Sequence, residues 1–357
     1  MKKLHWFFKV CLLMLFVLMI WFSLTLLSPR ILPIKKASGE IRGIIFQNQL
    51  WYGNIYITGD LITLPNVQID VKAGTKIFIN KNGDKNNFDL FPWHLKNGIN
   101  INEKYHGILT GEPFWDEKEK IQIHFSQLNA KGTDVAPIIF TSAGENGSPY
   151  DINLINIQDG ELENVEFSNY RRLEIGPEVK LIKSNFENSG DCAVCISRGS
   201  PLVLNNTFKR GRSNYIKIIS SDPVIKGNRF LESEGDGILI ESSVESSIRI
   251  FENIFQMPSR RAIKVESAGV RADIFENNFI LGDIQLPCNN NVRLFNNLIK
   301  VNIVFVSFGG CSGEYTISSN YWEIMSSKDI LNARISGESD KFKVKIPRIL
   351  KTPPKGM

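Results

Sequence analysis

A three-residue pattern, asparagine followed by any residue and then a large apolar residue, recurs through the second half of the chain and restricts its fold more than any other feature. The six copies begin at Asn206, Asn228, Asn253, Asn277, Asn296 and Asn320. Phe167 and Phe186 hold the apolar position of two earlier copies that lack the asparagine. Successive apolar positions are 19 to 25 residues apart. A period in this range indicates a solenoid.

The content of each repeat indicates which solenoid forms. Runs of three to six residues that favour β-structure, such as PLVLNN and DPVIKGN, surround each copy, and a second run such as YIKII or GILIE follows about eight residues later. These runs are too short for helices, and Gly, Asn, Ser and Pro separate them. The sequence therefore predicts an all-β fold, a parallel β-helix with about 22 residues per coil.

The recurring asparagine and apolar residues have distinct predicted roles. Asparagine tolerates left-handed backbone, and its amide both donates and accepts hydrogen bonds, so stacked asparagines can bond to one another and to the backbone of the turn. The apolar residue two positions later lies on the same side of the chain and can stack in a core column. Six repeated asparagines are typical of a structural ladder and not of catalysis.

Three segments resemble a known superfamily. They are IIFQNQLWYGNIYITGDLITLPNVQIDVKAGTKIFI at 44–79, LNAKGTDVAPIIFTS at 128–142, and NYW at 320–322 with the helix-like segment and strand that follow it. They resemble the opening coils and the C-terminal cap of bacterial proteins of the pectate-lyase-like superfamily. This resemblance implies a right-handed, single-stranded parallel β-helix over 41–350, with a short C-terminal capping helix within 323–350 and a tail at 351–357. The superfamily includes polysaccharide lyases, glycosidases, epimerases and surface proteins without a known reaction.

The N-terminal segment predicts a membrane attachment. Residues 10–27 carry no charge and are nearly all apolar, and as a helix they would span about 27 Å, close to the hydrocarbon thickness. We interpret them as a transmembrane signal anchor, with 1–9 as a cytoplasmic tail and 28–40 as a linker; a cleaved signal peptide is the alternative. The β-helix would then lie outside the cytoplasm, in the periplasm or at the cell surface. Much of the net charge of +5 lies in the two tails, so nucleic acid is not expected as a partner.

Residues 80–127 interrupt the predicted coils with a long aromatic-rich insertion. Trp93, Tyr105 and Trp115 are its candidate ligand-binding residues, because large amphipathic rings are favoured at recognition surfaces. The alternative is that the insertion only caps the first coil. The insertion and position 5 hold all four histidines, so the predicted coils contain none.

Candidate catalytic residues are weak. The position before the second run of each repeat holds Asp191, Asn214, Asp236, Arg261 or Asp283. Asp191 and Asp236 are the candidates, two coils and about 10 Å apart, although Asp-Gly before a strand is ordinary turn chemistry. No metal site and no cofactor are expected.

The cysteines give two further expectations. Cys192 and Cys195 have the spacing of a redox or zinc pair, but three residues apart on a strand they should point to opposite faces, which disfavours such a pair. Cys288 and Cys311 should lie on adjacent coils, near enough for a disulfide in an oxidising compartment.

Two functions fit these patterns. The favoured one is a non-catalytic, membrane-anchored scaffold that presents a surface to a polysaccharide or another cell-envelope component. Its reasons are the lack of histidines on the coils and of a carboxylate cluster. The alternative is a polysaccharide lyase, glycoside hydrolase or epimerase.

Overall fold

Parallel β-coils dominate the structure, which is a computed structural model. It describes 33–80, 121–143, 153–241, 246–306 and 313–354, apart from 259, 268, 289–290, 324–325 and 338–340, together with residues 12, 14–17 and 19. Within these residues, 29 of the 31 strands form one continuous sheet, and the strands pair in parallel. The sheet winds into three faces, which we call A, B and C in the order in which each coil visits them.

Each face collects one strand from each coil. Face A contains β3 (Gln68–Val71), β8 (Glu161–Glu163), β11 (Lys180–Ile182), β14 (Leu202–Leu204), β17 (Val224–Lys226), β20 (Ser247–Phe251), β23 (Arg271–Phe275) and β26 (Val292–Phe295). Face B contains β4 (Lys76–Asn80), β6 (Ile138–Ala143), β9 (Val165–Tyr170), β12 (Asn185–Ser189), β15 (Thr207–Lys209), β18 (Arg229–Leu231), β21 (Ile254–Gln256), β24 (Asn278–Leu281) and β27 (Leu298–Ile299). Face C contains β7 (Asn153–Asp159), β10 (Arg172–Ile175), β13 (Val194–Ile196), β16 (Ile216–Ile218), β19 (Ile238–Ile240), β22 (Ile263–Val265), β25 (Ile284–Pro287), β28 (Ile303–Val306) and β30 (Ile335–Ser336).

Three long strands near the N-terminus bend from one face to the next. They are β1 (Lys35–Ile45), β2 (Gln49–Thr63) and β5 (Ile121–Lys131). The strand β2 pairs with β3 on face A, with β4 on face B and with β5 on face C, so one unbroken strand forms a whole coil. The first coil, β1, begins inside the segment 28–40 that we predicted to be a linker.

A column of stacked phenylalanine rings fills the core behind face B. Successive ring centroids of Phe140, Phe167, Phe186, Phe208, Phe230, Phe255 and Phe279 are 4.8–5.3 Å apart. This distance is the spacing of adjacent strands, so each coil contributes one ring. The predicted aromatic column is confirmed.

A ladder of buried asparagines forms the turn between faces A and B. Its members are Asn206, Asn228, Asn253, Asn277, Asn297 and Asn320. The side-chain oxygen of each later asparagine accepts from the backbone N–H of the one before it, at 2.8–3.0 Å, and from its Nδ2, at 2.9–3.1 Å. Ser184 takes the same position one coil earlier and donates its N–H to Asn206 Oδ1 at 2.8 Å.

One predicted ladder position was wrong by a single residue. Asn296 is not a ladder member: it has a positive φ of 55° in the turn, whereas Asn297 donates to Asn320. The reason is the register of face B, where Phe279 lies beside Ile299 and not beside Leu298. Both asparagines precede an apolar residue by two positions, so the pattern fitted either frame.

The C-terminal end contains the short helix that the sequence predicts. Helix α1 (Ser327–Arg334) begins with a capping box, in which Ser326 and Asp329 satisfy each other's backbone N–H groups. Its Ile330 is buried, and the chain continues directly into β30, which pairs with β28. The remaining strands, β29 (Gly313–Thr316) and β31 (Phe342–Lys345), pair with each other.

The predicted anchor at 10–27 lies largely outside the described residues. Residues 12, 14–17 and 19 have helical backbone and exposed side chains. The described part of the chain contains no helix with the length and apolarity that crossing a membrane requires.

Candidate functional site

The two aspartates selected from the sequence occupy turns before face C. The backbone N–H of Asp236 donates to Asn214 Oδ1 at 3.0 Å, and the N–H of Arg261 donates to Asp236 Oδ1 at 3.3 Å. Asp283 Oδ1 likewise accepts from the N–H of Asn302 at 3.3 Å. These positions therefore form a second turn-stabilising column, which is the structural role that Asp-Gly turn chemistry suggests for Asp236.

Asp191 differs from Asp236 because its carboxylate contacts a residue of face C. Its Oδ2 lies 3.5 Å from Nη1 of Arg172, and its side chain is half exposed. Asp191 therefore belongs to a group of polar residues on face C.

That group stands on the outer surface of face C. Side chains alternate along a strand, so Ile123, Ile155 and Leu173 point into the core while His124, Asn156 and Glu174 point outward. The register aligns His124 with Asn156 and Asn156 with Glu174 on three adjacent coils. We call His124, Asn156, Arg172, Glu174 and Asp191 the face C cluster.

Hydrogen bonds and ion pairs connect the five residues, and His124 joins them through a hydrogen bond with Asn156. Asn156 Nδ2 donates to Glu174 Oε2 at 3.1 Å, and Arg172 Nη2 lies 2.9 Å from Glu174 Oε1. Arg172 therefore contacts two carboxylates, those of Glu174 and Asp191. Gln158 Nε2 donates to Asn156 Oδ1 at 2.6 Å and fixes the orientation of that amide.

Burial shifts the titration of two cluster members. Burial lowers the pKa of His124 from 6.5 to about 4, against the opposing effect of a hydrogen bond with Asn156. Its imidazole is therefore neutral at pH 7, and Nδ1 has no hydrogen-bond partner among the described residues. Burial also raises the pKa of the Glu174 carboxyl above its ordinary value; Arg172 and Asn156 oppose this rise and Asp191 adds to it.

This arrangement is capable of polar recognition and of proton transfer. A neutral imidazole can accept a proton, and a carboxyl group with a raised pKa can donate one. Titratable groups shifted by burial and by a specific charge partner are typical of functional sites, although structural ion pairs can also produce them. Within the described ranges, no group of three or more His, Cys, Asp and Glu residues is arranged to hold a metal ion.

A disulfide borders the cluster on its C-terminal side. Cys195 lies beside Glu174 in the register of face C, and it is bonded to Cys192 with a Cα–Cα distance of 5.7 Å. Our expectation that these cysteines point to opposite faces was wrong, because β13 begins only at Val194 and Cys192 belongs to the preceding turn. Cys288 is also disulfide-bonded. Its predicted partner Cys311 lies outside the described residues.

Sequence reasoning missed most of this cluster because it set the boundary of the insertion too late. The coil resumes at Ile121, so His124 belongs to β5 and the statement that no histidine lies on a coil was wrong. The runs IQIHF, NLINIQ and RLEI continue the face C column upstream of AVCI. Aligning them would have found His124, Asn156 and Glu174. Trp93, Tyr105 and Trp115 lie outside the described residues.

Comparison with known families agrees with the wound parallel sheet. Residues 142–280 match the family model described as right handed beta helix region. Together with the parallel register of the coils, this match supports a right-handed parallel β-helix fold. Comparisons with curated proteins and with solved structures give no match.

Proposed function

We propose that this protein is a membrane-anchored β-helix whose face C binds a polysaccharide outside the cytoplasm. The observation that carries the proposal is the face C cluster, which gathers an imidazole, an amide, a guanidinium and two carboxylates on neighbouring coils. Core packing does not explain these residues, because their side chains point outward. Ordinary solvent exposure does not explain them either, because His124 and Glu174 are titratable groups that are largely buried.

A polysaccharide fits the shape and chemistry of this surface. The outer face of a solenoid is long and nearly flat, and it repeats at the strand spacing, so an extended polymer can contact several coils at once. Hydroxyl groups of sugars are recognised by convergent carboxylate, amide and guanidinium groups, which is the composition of the cluster. Trp93, Tyr105 and Trp115 remain part of the proposal as rings for sugar contact.

The extracytoplasmic location has support from the cysteines. Cys192 and Cys195 are bonded to each other, and Cys288 is a disulfide cysteine as well. Disulfides persist in oxidising compartments and are rare in a reducing cytoplasm. The apolar segment 10–27 would hold the solenoid at the membrane.

The test is retention of the full-length protein, in detergent micelles, on a panel of acidic and neutral polysaccharides. Arg172→Ala removes a face C guanidinium that contacts Asp191, and Arg293→Ala removes a face A guanidinium that contacts Asp273. We expect the retention of the first variant to fall about tenfold or more, because the loss of one hydrogen bond to a charged group weakens binding by about this factor. The second variant should be retained like wild type. Equal retention of the two variants, with similar melting temperatures, would refute the site.

A second candidate is catalysis on the same polysaccharide. The observation that favours it is that burial shifts the pKa values of two cluster members in opposite directions: the pKa of His124 is lowered and that of Glu174 is raised. His124 is thus a neutral proton acceptor at pH 7, and the raised pKa of Glu174 brings that carboxyl group closer to the role of a proton donor. Glu174 and Asp191 additionally place two carboxyl groups on neighbouring coils, as hydrolases of this type require.

Product analysis separates the two candidates. An enzyme should generate unsaturated or reducing ends from the retained polysaccharide, and His124→Ala should abolish that signal while retention persists. A binding scaffold should retain the polysaccharide and leave its chain length and its ends unchanged.

A further inference from the structure

In the part of the chain that the structure describes, the first coil of the solenoid has an open strand edge. Among the described residues, β1 pairs with β2 on one side only, over the registers that join Lys35 to Gln49 and Ile45 to Thr63. Along its other edge, this eleven-residue strand pairs with no strand of the described residues. Such an edge is normally covered, because it is a template for further pairing and exposes the end of the core.

Basic and apolar side chains lie together at this end. A shallow cavity of about 630 Å³ is lined by residues that include Lys35, Lys36, Glu40, Arg42 and Phe46. Three of these side chains are cationic and one is anionic. Glu40 accepts from the hydroxyl of Thr58 at 2.8 Å and lies 3.5 Å from Arg42, so the end as a whole keeps a positive charge.

Large apolar side chains are exposed beside these charges. Phe46 is 61% exposed, Ile34 is 57% exposed and Ile44 is 37% exposed. Isolated exposed apolar residues are ordinary, but these three lie within thirteen residues of one another and on one coil. A surface that mixes lysine, arginine, phenylalanine and isoleucine is typical of segments that lie in the interface of an anionic membrane.

Chain connectivity brings this end close to the proposed anchor. Only seven residues separate the apolar segment 10–27 from the first residue of β1. At full extension they span no more than about 25 Å. The first coil is therefore confined near the membrane surface whenever the anchor is inserted, and binding there costs little additional ordering.

We propose that the N-terminal end of the solenoid docks on an anionic membrane surface. Lys35, Lys36 and Arg42 contact lipid phosphates, and Phe46, Ile44 and Ile34 lie at the boundary between headgroups and acyl chains. Headgroups and interfacial water then satisfy the open edge of β1, and the solenoid projects away from the bilayer. This inference rests on the proposed anchor, and it adds a partner for a surface that the polysaccharide site does not use.

The test places a fluorescent label at Phe46→Cys in the full-length chain with Cys11→Ser, reconstituted at one chain per nanodisc. The matched control carries the label at Leu281→Cys, because Leu281 is also an exposed apolar residue (46%) but lies on β24, many coils away. In anionic nanodiscs, we expect the label at 46 to be shielded from an aqueous quencher and the label at 281 to stay accessible. In zwitterionic nanodiscs, both labels should be accessible.

The decisive experiment removes positive charges from this end of the solenoid. Neutralising Lys35→Gln and Lys36→Gln together should shift the ratio of docked to undocked protein by about 25-fold, since each basic group near an anionic surface contributes about fivefold. Added salt should have the same effect. Equal quenching of both labels in anionic nanodiscs would overturn the proposal. Shielding that persists without anionic lipid would overturn it in favour of coverage by the chain itself, and shielding that needs two chains per disc would overturn it in favour of a second copy.

Failure of the anchor gives a different result from failure of docking. A chain without a functional anchor does not co-purify with nanodiscs of either composition. A chain that is anchored but does not dock co-purifies with both and leaves the label at 46 open to the quencher.

Discussion

At the scale of single residues, the side chains of the asparagine ladder each make several buried hydrogen bonds. Asn253 accepts from the N–H and Nδ2 of Asn228, and its Nδ2 donates to Asn277, Ile225 and Phe251. The side chain is fully buried. Removing it leaves several buried polar groups without partners, each of which costs about 1–3 kcal/mol.

We therefore expect Asn253→Ala to destabilise the protein by at least about 3 kcal/mol and to lower the melting temperature clearly. The control is Asn296→Gly, which removes an asparagine outside the ladder while suiting its positive φ. Its melting temperature should stay near that of wild type. A larger effect at position 296 than at position 253 would contradict the ladder.

The titration of His124 gives a second prediction at this scale. Its pKa is about 4 in the folded protein against 6.5 in the unfolded chain, so between these values the unfolded state binds the extra proton. Stability consequently falls as the pH drops from 6.5 to 4, by roughly 2–3 kcal/mol from this group. As the pH falls from 6.5 to 4, the melting temperature of wild type should fall further than that of His124→Gln. A constant difference from pH 7 to pH 4 would show that His124 titrates normally.

The residues also show where sequence reasoning succeeds and where it is ambiguous. The ladder and the ring column follow from period and chemistry, because only one strand register buries the face B phenylalanine of each repeat. Asn296 and Asn297 could not be separated in this way, since Leu298 and Ile299 are equally apolar. Only the pairing of Phe279 with Ile299 decides between them.

At the scale of elements, the boundaries were less predictable than the repeats. The strand β5 begins inside the segment assigned to the insertion, and β1 begins inside the segment assigned to the linker. The strand β1 is an edge coil with one neighbouring coil, so its sequence is freer to depart from the regular pattern, whereas β5 has neighbouring coils on both sides and directly follows the insertion. This displacement concealed the face C cluster, whose first member, His124, lies on β5.

The disulfides can be tested at the same scale. Peptide mapping under non-reducing conditions should recover Cys192 and Cys195 linked within one peptide, and Cys288 linked to Cys311 on the next coil. The first bond follows from the turn before β13, which holds the two Cα atoms 5.7 Å apart. Any bond between the two pairs would refute the alignment of the coils. Four free thiols would argue against an oxidising compartment.

At the scale of the whole molecule, the repeat period determines the architecture and the apolar segment determines the predicted location. Each coil buries its apolar side chains against the coils on either side, so about 22 residues suffice to add one layer. Function does not follow from this architecture, because the same solenoid can carry either a binding surface or a catalytic one.

Topology is the prediction that belongs to this scale. Protease added to intact cells whose outer barrier has been opened should digest residues beyond 40, because the solenoid is proposed to lie outside the cytoplasmic membrane. The digestion should not require lysis of the inner membrane, and a cytoplasmic marker protein serves as the control. Full protection until lysis would reverse the orientation.

The central claim, that face C is the polysaccharide site, is tested most directly by titrating one retained polysaccharide against an isosteric pair of variants. Glu174→Gln alters the carboxyl at the centre of the cluster, whereas Glu163→Gln alters a face A carboxyl that pairs with Lys183. We predict that the first variant loses affinity by about tenfold and that the second binds like wild type. Unchanged affinity in Glu174→Gln, or an equal loss in both variants, would contradict the claim.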